Sequence, residues 1–269
     1  MPALAAKTTS LASAETEKDP QFAYTLAKGL EVLRAFDVGS ATLGNREIAE
    51  RTGIGRATVV RLTRTLAMLG YLKYNESTAR YRLAAPVLSF GYPLLCQLSV
   101  RQFARPHMQE LADFAHGAVS LAMRGGDHLV LIETCIDQAA PTGRPDVGAT
   151  RGFADTSLGH TYYWAAEDAE RTQIDAALRE SDPSGWPEQR RRLMASRKQF
   201  ASTGYCTVMQ AGSGLRGLSV PVRSLVEDEL LVLNCVVAPF LLQPDTLEQQ
   251  IAPRLFNLVR LLESAMGRR

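Results

Sequence analysis

Residues 47–70 read EIAERTGIGRATVVRLTRTLAMLG. The stretch parses as helix, tight turn, helix. At about 100° per residue from Arg56, the side chains Val59, Leu62, Leu66 and Leu69 gather on one face of the second helix. Arg56, Ala57, Val60, Arg61, Arg64 and Thr65 gather on the other. An arginine face opposite an apolar face is also the pattern of a plain solvated helix, so the preceding residues carry the distinction. Ile48 and Ala49 give the first helix its own apolar face. Gly53 supplies the positive φ that a sharp helix end needs, and Ile54 plugs the turn. A short helix, a glycine turn and a longer basic helix form the helix-turn-helix pattern.

Charge agrees with that pattern. The chain of 269 residues has a net charge of +2. Residues 21–84 hold ten Lys and Arg against five Asp and Glu, a local surplus of five positive charges that suits phosphate binding. Hydrophobic residues make up 46% and charged residues 22%, which places the chain among soluble globular proteins with room for two domains. No stretch approaches the ~20 apolar residues of a membrane span, so no membrane partner is expected. Cys96, Cys135, Cys206 and Cys235 are scattered with no CxxC, which suggests neither a metal site nor a disulfide framework and fits a cytoplasmic protein. No cofactor motif stands out.

Outward from the basic motif, residues 1–20 lack periodicity and are expected to form a disordered tail. A helix capped by Thr25 is predicted, with Leu26, Leu30, Leu33 and Phe36 on one face. After Gly70, YLKYNESTARYRL alternates as a hairpin that presents Lys73, Arg80 and Arg82. That pattern fits a DNA-contacting wing or an ordinary exposed hairpin. Residues 85–99 are strongly apolar, with Pro93 expected to kink them, and read as a linker helix that packs on a second copy or as a core helix.

Residues 100–269 change character. A helix over 101–116 precedes strands at 118–123 and 128–134, a Pro/Gly-rich loop over 137–151, and a helix opened by Thr156 or Ser157 in TSLGHTYYWAAED. A further helix from Trp186 through Phe200 carries five basic residues. Strands follow at 205–209, 218–222 and 230–237, then a closing helix capped by Asp245 or Thr246. This is an α+β domain.

Taken together, YTLAKGLEVLRAF, EIAERTGIGRATVVRL, LGYL, RYRL, TSLGH, STGY, GLSVPVRS and IAPRLFNLVRLL resemble the IclR-type bacterial transcriptional regulators over residues 22–264. The resemblance implies an N-terminal winged helix-turn-helix at 21–84, a linker and dimerisation helix at 85–99, and a GAF-like effector-binding domain at 100–269. It implies a homodimer or tetramer on a palindromic operator in double-stranded DNA. It also implies a small carboxylate effector held by two backbone amides, here those of Ser157 and Leu158, a helix N-terminus suited to an anion. Other pocket positions in the family are Asp, Cys and two serines; they align with Val208 (or Thr207), Gly217, Cys235 and Val237. A polar ring has become mostly apolar, and Tyr162 and Tyr163 follow one turn later. The expected effector is therefore larger and less polar than glyoxylate or pyruvate, an aromatic acid or a related catabolic intermediate.

Base edges are expected to meet Arg61 and Arg64, with Ala57 and Val60 against thymine methyls. Arg56, Thr58, Lys73, Arg80 and Arg82 are expected on phosphates. Against an enzyme, Gly212–Gly217 matches GxGxxG but runs into LSVPV rather than a helix, and no GxSxG, HExxH or P-loop occurs. His107, His116, His128 and His160 are dispersed, and Ser213 and Ser219 have no base at a telling spacing. A protein-interaction module would not need the basic segment.

Overall fold

Two glycines shape the N-terminal unit. Helix α2 (Asn45–Thr52) stops where Gly53 takes φ 70° and its amide bonds the Ala49 carbonyl. Helix α3 (Arg56–Met68) stops at Gly70, φ 81°. There the Tyr71 amide reaches back to the Leu66 carbonyl and the Gly70 amide to Ala67, which closes the helix in a Schellman motif. The computed structural model describes residues 19–140, 145–210, 212–223, 229–241 and 246–267. Most of the expected disordered tail, residues 1–18, lies outside them. The chain divides into two compact units, with the boundary between Cys96 and Gln97.

In the first unit, helix α1 (Tyr24–Arg34), α2 and α3 bury Val32, Leu43, Ile48, Ile54, Val59 and Leu62 in one core. Helix α1 begins one residue before the expected Thr25 cap, after Ala23 and with no side-chain cap. Its Leu26 and Leu30 are exposed rather than buried. Leu69, just past the end of α3, is 62% exposed while Thr63 at mid-helix is fully buried, so the core stripe takes in Thr63 and stops short of Leu69. Thr63 is tolerated there because its hydroxyl donates to Asn45 Oδ1 (2.9 Å), at the start of α2. Thr63→Val is expected to cost about 1 kcal/mol by removing that bond, measured by urea unfolding; an unchanged midpoint would show that the bond is not part of the α2–α3 joint.

Strands β1 (Leu72–Asn75) and β2 (Arg80–Leu83) form the predicted hairpin, with Lys73 opposite Arg82 and Tyr74 opposite Tyr81. Leu43 exchanges both backbone hydrogen bonds with Tyr81, which ties the hairpin to the segment before α2. Helix α4 (Pro86–Gln97) runs through Pro93 and has no buried residue. Its Leu88, Phe90, Tyr92 and Leu94 are exposed.

The second unit is a six-stranded antiparallel sheet in the order β5-β4-β3-β8-β7-β6. The strands are β3 (Ala118–Arg124), β4 (His128–Ile136), β5 (Thr150–Gly152), β6 (Cys206–Met209), β7 (Arg216–Arg223) and β8 (Leu230–Val237). One face packs on α5 (Ser99–Ala115) and on α10 (Ala252–Met266), which one wide π-turn precedes. The other face packs on α6 (Ser157–Ala165), α7 (Asp168–Ser181) and α8 (Trp186–Ala195).

Three boundaries differ from expectation. The long helix from Trp186 breaks at Ser196, and α9 (Arg197–Thr203) follows. Helix α7 was not anticipated, although Ile174 and Leu178 repeat at helical spacing and Asp168 and Glu170 suit its first turn. Strand β5 sits inside the expected loop, of which residues 141–144 are not described.

Candidate functional site

The exposed face of α3 carries Arg56, Ala57, Thr58, Val60, Arg61, Arg64 and Thr65. Val59, Leu62 and Thr63 hold its opposite face down on α1 and α2. Among the described residues Arg56, Arg61, Arg64, Lys73 and Arg82 are all exposed, and none has an ion-pair partner. Lys73 and Arg82 stand directly across the hairpin from each other, so the wing presents a double positive charge. The next cross-strand pair, Tyr74 and Tyr81, packs with ring centroids 4.7 Å apart and stiffens it.

Arg80 departs from the phosphate-facing expectation. Its Nη2 donates to the Glu47 carboxylate (2.9 Å to Oε1) and to the Thr42 carbonyl (2.8 Å), and its Nε donates to Thr42 Oγ1 (3.2 Å). The same Glu47 carboxylate accepts the Gly44 amide at 2.8 Å and so caps α2. That amide, and then Arg80, hold the Glu47 carboxyl below its usual range. Arg80 is thus a brace that fixes the wing against the start of α2. Helix and strand periodicity place it on the basic face, but only the fold shows which acid stands beside it.

In the second unit, Thr156 caps α6: its hydroxyl accepts the Gly159 amide (3.0 Å) and donates to the Gly152 carbonyl (2.8 Å). Ser157 and Leu158 occupy the first two helical positions, whose amides have no acceptor within the helix. The helix meets the sheet through Ser157, whose Oγ accepts from Ser219 Oγ (2.7 Å) and Asn234 Nδ2 (3.2 Å). Gly217 makes room for this contact, since a Cβ there would sit 2.5 Å from Ser157 Oγ.

Those bonds set the parity of the sheet. Gly217, Ser219, Asn234 and Val236 face α6, and Val208 and Cys206 join them as the partners of Gly217 and Ser219. Cys235 and Val237 therefore point the other way, into the core under α5 and α10. The Cys235 thiol is fully buried and pushed up to about 12 by that burial. Cys235 and Val237 thus do not face α6 as expected of pocket residues; Asn234 and Val236, one residue earlier on β8, do. A one-residue slip in a strand reverses every side chain, which is why the correction moves both together.

Thr207, the alternative to Val208, pairs with Leu218 on the far face and accepts from Gln199 Nε2 (2.9 Å). Tyr162 and Tyr163 are buried away from this end of α6, and the Tyr162 hydroxyl donates to Glu170 (2.7 Å). Neither lines the α6 N-terminus. His160, one turn in, donates through Nε2 to the Ala154 carbonyl (3.0 Å), and burial lowers its pKa. The Gly212–Gly217 motif links β6 to β7 and opens no helix, with Gly212 and Gly214 at positive φ. Among the described residues no group of His, Cys, Asp and Glu could hold a metal ion, and no helix is long and apolar enough to cross a membrane.

A basic recognition helix beside a charged wing, followed by an α+β domain in which a helix N-terminus meets the sheet, is the layout of a regulator that binds DNA and a small molecule. The IclR helix-turn-helix domain matches residues 25–76. A crystal structure of an IclR family transcriptional regulator from Brucella abortus is 37% identical, covers 96% of this chain and 98% of its own, and superposes with a TM-score of 0.83. The chain belongs to the IclR family of transcriptional regulators. The Pca regulon regulatory protein of Pseudomonas putida is 29% identical over 90% of this chain and 84% of its own length. An IclR homolog from Microbacterium hydrocarbonoxydans, solved in complex with 4-hydroxybenzoate, shares the fold at 18% identity and a TM-score of 0.63, over 90% of this chain and 97% of its own.

Proposed function

We propose that this chain is a cytoplasmic, non-enzymatic regulator that binds a palindromic operator as a homodimer or a pair of dimers and answers to an aromatic acid. The observation that carries the effector class is the α6 N-terminus: two amides without helical acceptors, facing Gly217, Val208, Asn234 and Val236. A carboxylate suits the amides. Two half-buried valines and a glycine suit an apolar ring, and Asn234 offers one hydrogen-bonding group beyond it. The structural neighbour complexed with 4-hydroxybenzoate supports the same class.

Dimerisation rests on apolar surface that the N-terminal unit leaves exposed: Tyr24, Leu26 and Leu30 on α1 and Leu88, Phe90, Tyr92 and Leu94 on α4. Patches of this kind mark association sites. A dimer places two α3 helices in successive major grooves, about 34 Å apart. Arg61 and Arg64 read base edges, Ala57 and Val60 meet thymine methyls, and Arg56, Thr58, Lys73 and Arg82 hold phosphates. Arg80 acts through the wing it braces.

Fluorescence anisotropy with the protein's own upstream DNA and a scrambled duplex tests the reading. Three phosphate-facing cations per protomer predict a slope of about −5 in log affinity against log salt. The native duplex is expected to bind tighter than the scrambled one. Calorimetry with 4-hydroxybenzoate, pyruvate and glyoxylate tests the effector. Tight binding of the two smaller acids with none of the aromatic one would overturn that part.

A further inference from the structure

Glu133 is a carboxylate in the wrong place for an ordinary strand residue. It is 3% exposed in the middle of β4, yet its neighbours at 131 and 132 are apolar core. A β-bulge puts it there. Leu121 pairs with Glu133 and Ala122 with Leu131, so Ile132 has no partner on β3. The extra residue lets Ile132 and Glu133 both turn toward α5 and sends Thr134 to the α6 face.

On the α5 side, Glu133 Oε2 accepts from Arg101 Nη2 (3.1 Å) and Oε1 from Arg105 Nη1 (2.6 Å). Both arginines lie in the first two turns of α5, directly after the linker helix in the chain. The same carboxylate also accepts the Thr134 amide (3.2 Å), so it is tied to its own strand as well. On the α6 side, Thr134 is hydrogen-bonded to Ser120 (3.1 Å). Ser120 is the strand partner of Asn234, which donates to Ser157 at the start of α6. One peptide step along β4 thus joins the polar row beneath the effector end of α6 to the clamp on the start of α5. Glu133 is buried, and a buried carboxylate is costly to leave without its partners, so its pairing holds the start of α5 in place.

We propose that Glu133 is the positioning residue through which the polar row under α6 sets the start of α5, and with it the segment that leads into the linker. The assignment rests on the effector site proposed at the α6 N-terminus. A coupling claim requires that a change at one end be felt at the other only while the connecting group is intact.

Hydrogen–deuterium exchange on the full-length protein tests this without ligand or DNA. Asn234→Ala perturbs the effector end, and the readout is exchange over residues 86–101. In the otherwise unaltered protein, Asn234→Ala is expected to change exchange there by at least about threefold. In a Glu133→Gln background the same substitution is expected to have no effect, and Glu133→Asp is expected to restore part of it. Equal changes in both backgrounds, or none in either, would overturn the proposal. Should Glu133→Gln fail to fold, Arg105→Gln removes one arm and leaves Arg101 paired, and undiminished coupling there would overturn it too. A wrong effector class leaves this outcome untouched and appears only in the calorimetry.

Discussion

Gly159→Ala is expected to destabilise the effector-binding unit by about 3 kcal/mol or more, the upper range for overpacking a closed core. A Cβ at this position would lie 2.2 Å from the Phe153 carbonyl oxygen and 2.3 Å from its Cα. Both are backbone atoms, so no rotamer change relieves the clash. Helix α6 cannot retreat, because Thr161 donates to the Ser219 carbonyl (2.9 Å) and Ser157 is held by Ser219 and Asn234. Nor can the 153–156 segment, since the Thr156 cap ties it to Gly152 and His160 ties it to Ala154. Alanine's better helix propensity returns only about 1 kcal/mol. Calorimetry should show the midpoint of this unit falling by roughly 6–12 °C. The same displacement moves the Ser157 and Leu158 amides, so acid binding should weaken along with stability. A midpoint within a degree of the parent protein would mean that the close approach of α6 to Phe153 is not a real constraint.

Arg61→Ala is expected to weaken operator binding by about 1–3 kcal/mol, or roughly 5- to 150-fold, while leaving binding to random DNA nearly unchanged. Arg61 is exposed at mid-helix on α3, on the side opposite Val59 and Leu62, and no described acid competes for it. Its removal should therefore not disturb folding, and circular dichroism should confirm that. Lys73→Ala is the contrast: as the proposed phosphate contact on the wing, its loss is expected to weaken specific and random duplexes alike and to reduce the salt slope by about 1 per protomer. Equal losses on both duplexes for Arg61→Ala would reassign Arg61 to the backbone and leave Arg64 as the base reader. Arg80→Ala should also weaken DNA binding, but together with a loss of stability, because it unties the hairpin from Glu47 and Thr42.

The DNA-binding half was legible in the sequence because its determinants are local. The 3.6-residue period of α3, the glycine at its entry turn and the two-residue alternation of the wing are all short-range effects. Leu69 departs from the expected core stripe for a local reason too: past its C-terminus α3 separates from the core, and periodicity does not report where contact ends. Helix α4 was legible as an apolar element, and the exposure of its Leu88, Phe90, Tyr92 and Leu94 is what gives the dimer reading its weight.

In the effector-binding unit the sequence by itself determined most of the elements, α7 and β5 excepted, together with the Thr156-capped α6 and the pair of amides at its start. Only the tertiary structure decided which side of the sheet those amides face. Strand alternation says that Asn234 and Val236 share a face and that Cys235 and Val237 share the other, but it is symmetric between the two. Burial breaks that symmetry only when a helix lies down on one side, and here both sides are covered, so hydrophobicity alone carries no sign. The bulge at Ile132 is of the same kind. It inverts the facing of every later residue on β4, and it is stabilised by Arg101 and Arg105, which stand 32 and 28 residues away in sequence from Glu133. Pairings over such distances are made by the assembled sheet, and no period in the chain announces them.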